Sequence, residues 1–223
     1  GLRIVYSTAT HQELFDYTIK AFNTAWKYRF PTFVLGDGYQ SKMREPLTLY
    51  DPEDRGIETI PPEPYFGRPG VPGVDRPPSQ LRNTYNMEEE LFEVLAGYVR
   101  DYSQVAPEVA ESQAEYTEDA ELVVTAHGVV ARAARLAVRE LRENGYKVGY
   151  FRPVTLRPLP VKELREIASR VGKLLVVESA QGQLARLLKE AAYGCGAEML
   201  PLFRPGMGIT PEEVVAEVEK IMG

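Results

Sequence analysis

The sequence predicts an α/β protein: a mostly parallel sheet with helices on both faces, preceded by a partial α/β unit and a Pro-rich linker. Three observations carry this expectation. From Glu121 onward, short apolar runs alternate with segments of helical period. Nine of the 17 prolines fall between Glu45 and Pro78, where no hydrophobic period survives. The stretch from Gly1 to about Glu45 reads as a single strand, helix, strand unit, which buries only one face of each element and so reads as the tail of a larger domain.

In chain order, Leu2 to Tyr6 alternate as a strand, and Thr10 with Glu13 three places on reads as a capping box. Phe15, Ile19, Phe22 and Trp26 follow at helical spacing, Pro31 stops the helix, and Thr32 to Leu35 forms a second strand running into the turn Gly36-Asp37-Gly38. The proline-rich stretch is expected to be an extended arm laid across a surface, because a loop of that length without structure is foreign to a compact domain. Met87, Leu91, Val94, Leu95 and Tyr98 restore a helical period, with Glu88 to Glu90 in the first turn where the helix dipole favours acid. A second helical stretch is expected after Pro107, to about Tyr116. Leu122 to Ala126 is then a strand, and Val130 to Leu141 a helix closed by Asn144-Gly145. Lys147 to Phe151 and Leu174 to Val177 are strands, each followed by a helix. A fourth strand, around Met199 to Phe203, leads to a helix with Thr210 as N-cap, Pro211 at its first position and Glu213 closing the box. The expected divisions are therefore 1–46, 47–84 (linker), 85–116 (linking helices) and 117–223 (compact α/β domain).

Composition narrows the chemistry. Lys and Arg number 26 against 32 Asp and Glu, a formal charge of −6, which argues against nucleic acid and anionic membrane as partners. One cysteine, Cys195, and two histidines, His11 and His127, leave no disulfide framework, no tetrahedral zinc site and no cluster ligands. No apolar run of about 18 residues occurs and no signal-type start, so the expected compartment is the cytoplasm. Gly128 stands alone where a dinucleotide fold needs three glycines, and GxxxxGK[ST], HExxH and GxSxG are all missing.

Parallel strands place ligands at their carboxyl ends, which directs attention to His127, Glu178 and Arg204. His127 reads as an interfacial or capping histidine in preference to a general base, since no partner carboxylate is assignable. Glu178 precedes Gln181-Gly182-Gln183 at a helix start, where backbone amides satisfy a carboxylate. Arg132, in the first turn after Gly128, is a candidate anion contact with a solvated arginine as the commoner outcome. His11 and Cys195 show no companion that would make them reactive. On these residues no catalytic, cofactor-binding or metal position is assigned.

Taken together, Phe33 to Glu45 (FVLGDGYQSKMRE), Phe151 to Pro160 (FRPVTLRPLP), Leu175 to Leu184 (LVVESAQGQL) and Gly208 to Glu213 resemble the alpha subunit of the 2-oxoacid:ferredoxin oxidoreductases. The resemblance implies an assembly that oxidatively decarboxylates a 2-oxoacid on thiamine diphosphate, sends electrons through iron–sulfur clusters to ferredoxin, and forms an acyl-coenzyme A. It implies the end of a pyrimidine-type thiamine domain in 1–46 and a transketolase C-terminal-like domain in 117–223. The family's thiamine-activating glutamate and substrate-contacting segment would precede Gly1, so no catalytic residue carries over. Asp37 and Arg44 would lie near a subunit contact. The order His127-Gly128-Val129 departs from the family's aromatic, glycine, hydroxyl pattern and removes a helix cap, while Gly36-Asp37-Gly38 looks more like the branched-chain branch than the 2-oxoglutarate branch. Implied partners are beta, gamma and ferredoxin-like subunits and ferredoxin; a homo-oligomer is expected from Phe15, Phe22 and Trp26. The competing reading is a non-catalytic α/β binding or assembly module.

Overall fold

The computed structural model describes residues 1–62, 64–79 and 81–223; within the expected linker, Glu63 and Gln80 lie outside the described residues. Two sheets organise the chain. In the first, β1 (Ile4–Ser7) and β2 (Thr32–Leu35) are parallel and joined by helix α1 (His11–Tyr28). Helix α1 starts at the predicted N-cap, where the Thr10 side chain accepts from the Glu13 amide, but Glu13 returns to the Ala9 N–H at 2.7 Å, one residue before the cap, in place of the reciprocal bond expected of a capping box.

The arm then lies over α1, as expected of a surface strap. Gln12 and Thr48 exchange hydrogen bonds, Tyr50 donates to Asp16, and Asn23 clasps the backbone at Glu58 and Ile60. Helix α2 (Glu88–Val109) carries its acidic first turn where predicted and continues through Pro107, which sits in its last turn.

One expectation is corrected here. Residues after Pro107 do not form a second helical stretch; Ser112–Glu115 is strand β3, antiparallel to β5. Ala, Glu and Gln give this segment helical propensity, but an open sheet edge offers a full ladder of hydrogen bonds, and tertiary pairing overrides local preference. The second sheet has the order β3-β5-β4-β7-β8. Its parallel strands are β4 (Leu122–Thr125), β5 (Val148–Pro153), β7 (Lys173–Glu178) and β8 (Glu198–Phe203).

Alternating side chains along these strands feed two cores. Val124, Tyr150 and Val177 point to helices α3 (Val130–Glu143) and α6 (Pro211–Met222), while Val123, Phe151 and Val176 point to α4 (Val161–Arg170) and α5 (Gln183–Ala191). The sheet is thus covered on both faces, the expected architecture, with one antiparallel edge.

A feature not anticipated joins the two halves. Immediately after β5, residues Thr155–Arg157 form β6, which leaves the large sheet and pairs antiparallel with β1, completing a small sheet of order β2-β1-β6. Val5 and Leu156 consequently belong to the same apolar cluster as Phe151 and Leu188, so one core runs across both units. A third cluster, Ile4, Tyr6, Ala21, Phe30 and Val109, ties α1 and the end of α2 to the other face of the small sheet.

Candidate functional site at the seam between the sheets

The carboxyl ends of β1, β2 and β4 come together where the two sheets meet. Strand β1 delivers Ser7 and Thr8, β2 delivers the Gly36-Asp37 turn, and β4 delivers His127 and Gly128. Ser7 Oγ and His127 Nδ1 share a hydrogen bond of 3.0 Å. Burial, with the charge of Arg152 adding to it, lowers the His127 pKa to about 4 against the opposing pull of Asp37, so the ring is neutral at pH 7. Gly128 adopts φ 63°, a conformation that favours glycine, and lets the chain turn from β4 into α3 beside Ser7.

The turn itself is held from below. Thr8 Oγ1 donates to the Leu35 carbonyl at 2.9 Å, Asp37 Oδ1 accepts from the Tyr39 amide at 2.7 Å, and the Tyr39 hydroxyl accepts the Gly208 N–H at 3.0 Å. Buried Gln40 accepts the Asp37 amide through Oε1 at 3.3 Å, and its Nε2 has no partner among the described residues.

Two ion-pair clusters cross the seam. Arg152, 3% exposed on β5, binds both oxygens of Glu13 on α1 (2.9 and 2.6 Å) and the Ser7 carbonyl at 2.8 Å. Burial works to raise the Glu13 pKa, but the Arg152 hydrogen bonds and charge outweigh it and the net shift is downward. Glu45, at the start of the arm, accepts from the His11 amide (3.1 Å), meets His11 Nδ1 (2.8 Å) and pairs with Arg132 of α3. The His11 side-chain hydrogen bond, then its backbone N–H and Arg132, hold the Glu45 carboxyl down at about 2.

The candidate residues separate accordingly. His127 is interfacial, as read from sequence. Glu178, 2% exposed, accepts the amides of Leu184 (3.0 Å) and Ala185 (3.2 Å) at the start of α5, the structural role expected of it. Arg204 pairs with Glu213 of α6. Arg132 is exposed, the solvated outcome expected of it, and pairs with Glu45, so it is not an open anion contact. His11 has a partner that the sequence did not assign, again Glu45. Cys195 is half-buried against the α4/α5 core, Asp37 caps its own turn, and Arg44 is exposed. Helix α3 has no side-chain cap at Val129, in keeping with the loss of a hydroxyl there.

Sequence reasoning passed over Ser7, Glu13 as a seam residue, Glu45 and Arg152. A signal existed for Arg152: a cation inside the apolar run Val148 to Pro153 demands a buried anion.

With this geometry in hand, the comparisons are decisive. The family model described as pyruvate flavodoxin/ferredoxin oxidoreductase, thiamine diP-bdg, matches residues 2–114, and pyruvate:ferredoxin oxidoreductase core domain II matches 120–213. The chain belongs to the 2-oxoacid:ferredoxin oxidoreductase family. It is 32% identical to the 2-oxoglutarate synthase subunit KorA of Methanothermobacter thermautotrophicus over 98% of this chain and 63% of that one. It is 31% identical to the ketoisovalerate oxidoreductase subunit VorB of Methanothermobacter marburgensis over 99% and 60%. The chain therefore spans about 60% of the length of these curated relatives. A solved 2-oxoglutarate:ferredoxin oxidoreductase from Magnetococcus marinus shares the fold, with TM-score 0.77 at 22% identity over 99% of this chain and 42% of that one.

The carboxylates nearest the strand ends, Glu13, Glu45 and Glu178, are each consumed by an arginine, a histidine or backbone amides. No group of three or more His, Cys, Asp or Glu is placed to hold a cation for the diphosphate among the described residues. Nor, among them, is any helix long and apolar enough to cross a membrane.

Proposed function

We propose that this chain is part of the alpha subunit of a thiamine diphosphate-dependent 2-oxoacid:ferredoxin oxidoreductase, and that its own residues supply structure and subunit contacts while the cofactors and reacting groups sit elsewhere in the complex. The observation that carries the reading is the run of two family matches, thiamine-binding then core domain II, over one continuous body whose strand-end carboxylates are already spent on holding the two sheets together. Thiamine diphosphate would supply carbanion stabilisation and iron–sulfur clusters one-electron transfer; the protein supplies orientation. We retain 1–46 as the end of the thiamine-binding domain, 47–84 as the arm, 85–116 as the connector and 117–223 as the transketolase C-terminal-like domain. The assembly is cytoplasmic, with beta, gamma and ferredoxin-like subunits as its partners and ferredoxin as electron acceptor.

Relatives named for 2-oxoglutarate, ketoisovalerate and pyruvate match at 32%, 31% and 28% identity, which supports the 2-oxoacid class without favouring one member. The test is calorimetry and dye reduction. Alone, the purified chain is expected neither to bind thiamine diphosphate nor to reduce a dye with any 2-oxoacid. Supplied with the rest of the alpha subunit, the companion subunits, coenzyme A and ferredoxin, it is expected to support oxidation of one of the three acids. Thiamine binding by the chain alone, or a complete assembly inert toward all three, would contradict the reading.

A further inference from the structure

Helix α2 carries an apolar seam longer than the surface it packs on. Leu91, Leu95, Tyr98, Tyr102, Val105 and Val109 recur at alternate spacings of four and three residues, the heptad pattern of a helix that buries one stripe along its length. Only the end of that seam is used inside the chain. Tyr102, Val105 and Val109 join Ile4, Tyr6 and Phe30, and no residue of α2 before Tyr102 enters any of the apolar clusters. The reason is reach. The Tyr102 hydroxyl donates to the Arg3 carbonyl at 2.7 Å, while Val109 packs in the cluster of Ile4 and Tyr6, so α2 climbs in the direction of β1. Residues 88–101, about 20 Å of helix at about 1.5 Å per residue, therefore project past the amino end of the small sheet.

This arm is bare. Met87, Leu91, Phe92, Leu95, Tyr98 and Val99 are all exposed, Phe92 by 73% and Met87 by 63%. So few turns of helix are marginal in water on their own, and an apolar stripe of this size calls for a covering surface. The stripe also leads somewhere: Ala106, one heptad on from Val99, opens into a concavity of about 850 Å³ walled by Tyr102, Ala106, Pro158 and Leu159, between α2 and the turn from β6 into α4.

We propose that the arm pairs with the arm of a second copy of this chain, antiparallel about a two-fold axis, with Leu95 of each helix against Tyr98 of the other and Leu91 against Tyr102. This goes beyond the alpha-subunit reading and does not depend on it. The register brings Met87, at the tip of each arm, level with Ala106 of the second copy and so to the mouth of its concavity, which makes the contact reciprocal. Charge favours the same arrangement. Each acidic first turn, Glu88 to Glu90, arrives near the other copy's Tyr102, where Arg3 and Arg157 supply positive charge that opposes the upward pull of burial on the tyrosine pKa. The acids of the concavity, Glu163, Glu166 and Glu190, lie on α4 and α5 instead. The two acidic turns stay about 20 Å apart, beyond a Debye length, whereas a parallel pair would set them face to face. The six exposed side chains leave on the order of 600 Å² in water per copy, so pairing covers about 1,200 Å² in total, enough for a specific interface of modest strength.

Sedimentation velocity of the 223-residue chain tests the pairing. The expected species is a dimer with a dissociation constant of about 1–10 μM, raised about 30-fold or more by Leu95→Glu combined with Val99→Glu. Both side chains are exposed, so the thermal midpoint of the body should stay within about 2 °C. Phe22→Glu, on the α1 face from which a homo-oligomer is expected by sequence, should leave the constant unchanged. A spin label at Glu89→Cys in a Cys195→Ser background reads the direction: antiparallel arms hold the two labels about 22 Å apart along the helix axis. A wild-type chain that is monomeric at about 100 μM assigns the arm to another partner and overturns the proposal. So does a dimer weakened by Phe22→Glu and indifferent to the arm substitutions, and so do labels side by side as in a parallel pair.

Discussion

Arg152 and Glu13 are the pair on which the relation of the two sheets depends. Removing one member leaves the other charge buried, so Arg152→Met is expected to destabilise the chain by about 3 kcal/mol, near the bottom of the range for buried pairs because Glu13 keeps part of its surface in water. Arg152→Met combined with Glu13→Gln should cost less than the single change, which denaturant melts of the two variants would read directly. Glu45 gives a pH signature. Its carboxyl falls from an ordinary 4.5 to about 2 on folding, so the folded state binds fewer protons in that window, and the stabilisation is full above about pH 4.5 and lost as pH falls toward 2. The midpoint gap between wild type and Glu45→Gln should therefore be widest near pH 7 and close by pH 2; a gap constant with pH would mean that the carboxylate is not held as described. Residues whose partner is local were legible in the sequence: Glu178 sits six and seven places from the amides it accepts, and Thr210 three from Glu213. Glu13 and Arg152, 139 positions apart, announced themselves only as a charge in an apolar strand.

Among the elements, strands β4, β5, β7 and β8 and the helices between them follow from alternation of apolar runs with helical period, because each buries a face within its own repeat. Strands β3 and β6 do not. Each is short, sits at a boundary, and is defined by the edge it pairs with: Ser112–Glu115 by the free side of β5, Thr155–Arg157 by the free side of β1. Strands of three or four residues are too short to show a period, and Ser112–Glu115 buries little besides, whereas Thr155 and Leu156 are buried by the strand they pair with. The arm divides in two. Up to Ile60 it is stitched to α1 by Gln12, Asp16 and Asn23, whereas from Pro61 to Asn86 its hydrogen bonds among described residues are within itself apart from Arg82, which binds both oxygens of Glu90 at the start of α2. Limited proteolysis is expected to make its first cuts between 61 and 86. First cuts in 46–60 would show that the strap over α1 is loose, and first cuts in 121–223 would show that the compact domain is misplaced. At α6, Thr210→Ala removes a full capping box and should cost about 1 kcal/mol in the same denaturant melts.

For the molecule as a whole, the shared core and the exchanged strand β6 make residues 1–45 and 112–223 one structural body, so the second domain cannot be taken away without also removing a strand and half the seam from the first. That is a stronger statement than the sequence allowed, where the first unit read as a fragment and the second as self-contained. The measurement that tests it most directly is 2-oxoacid-dependent ferredoxin reduction by the complete complex, compared between an alpha subunit with residues 117–223 present and one that ends at 116. The predicted result is loss of activity together with loss of protection in the amides of Ile4 to Ser7; full activity with those amides still protected would contradict the account.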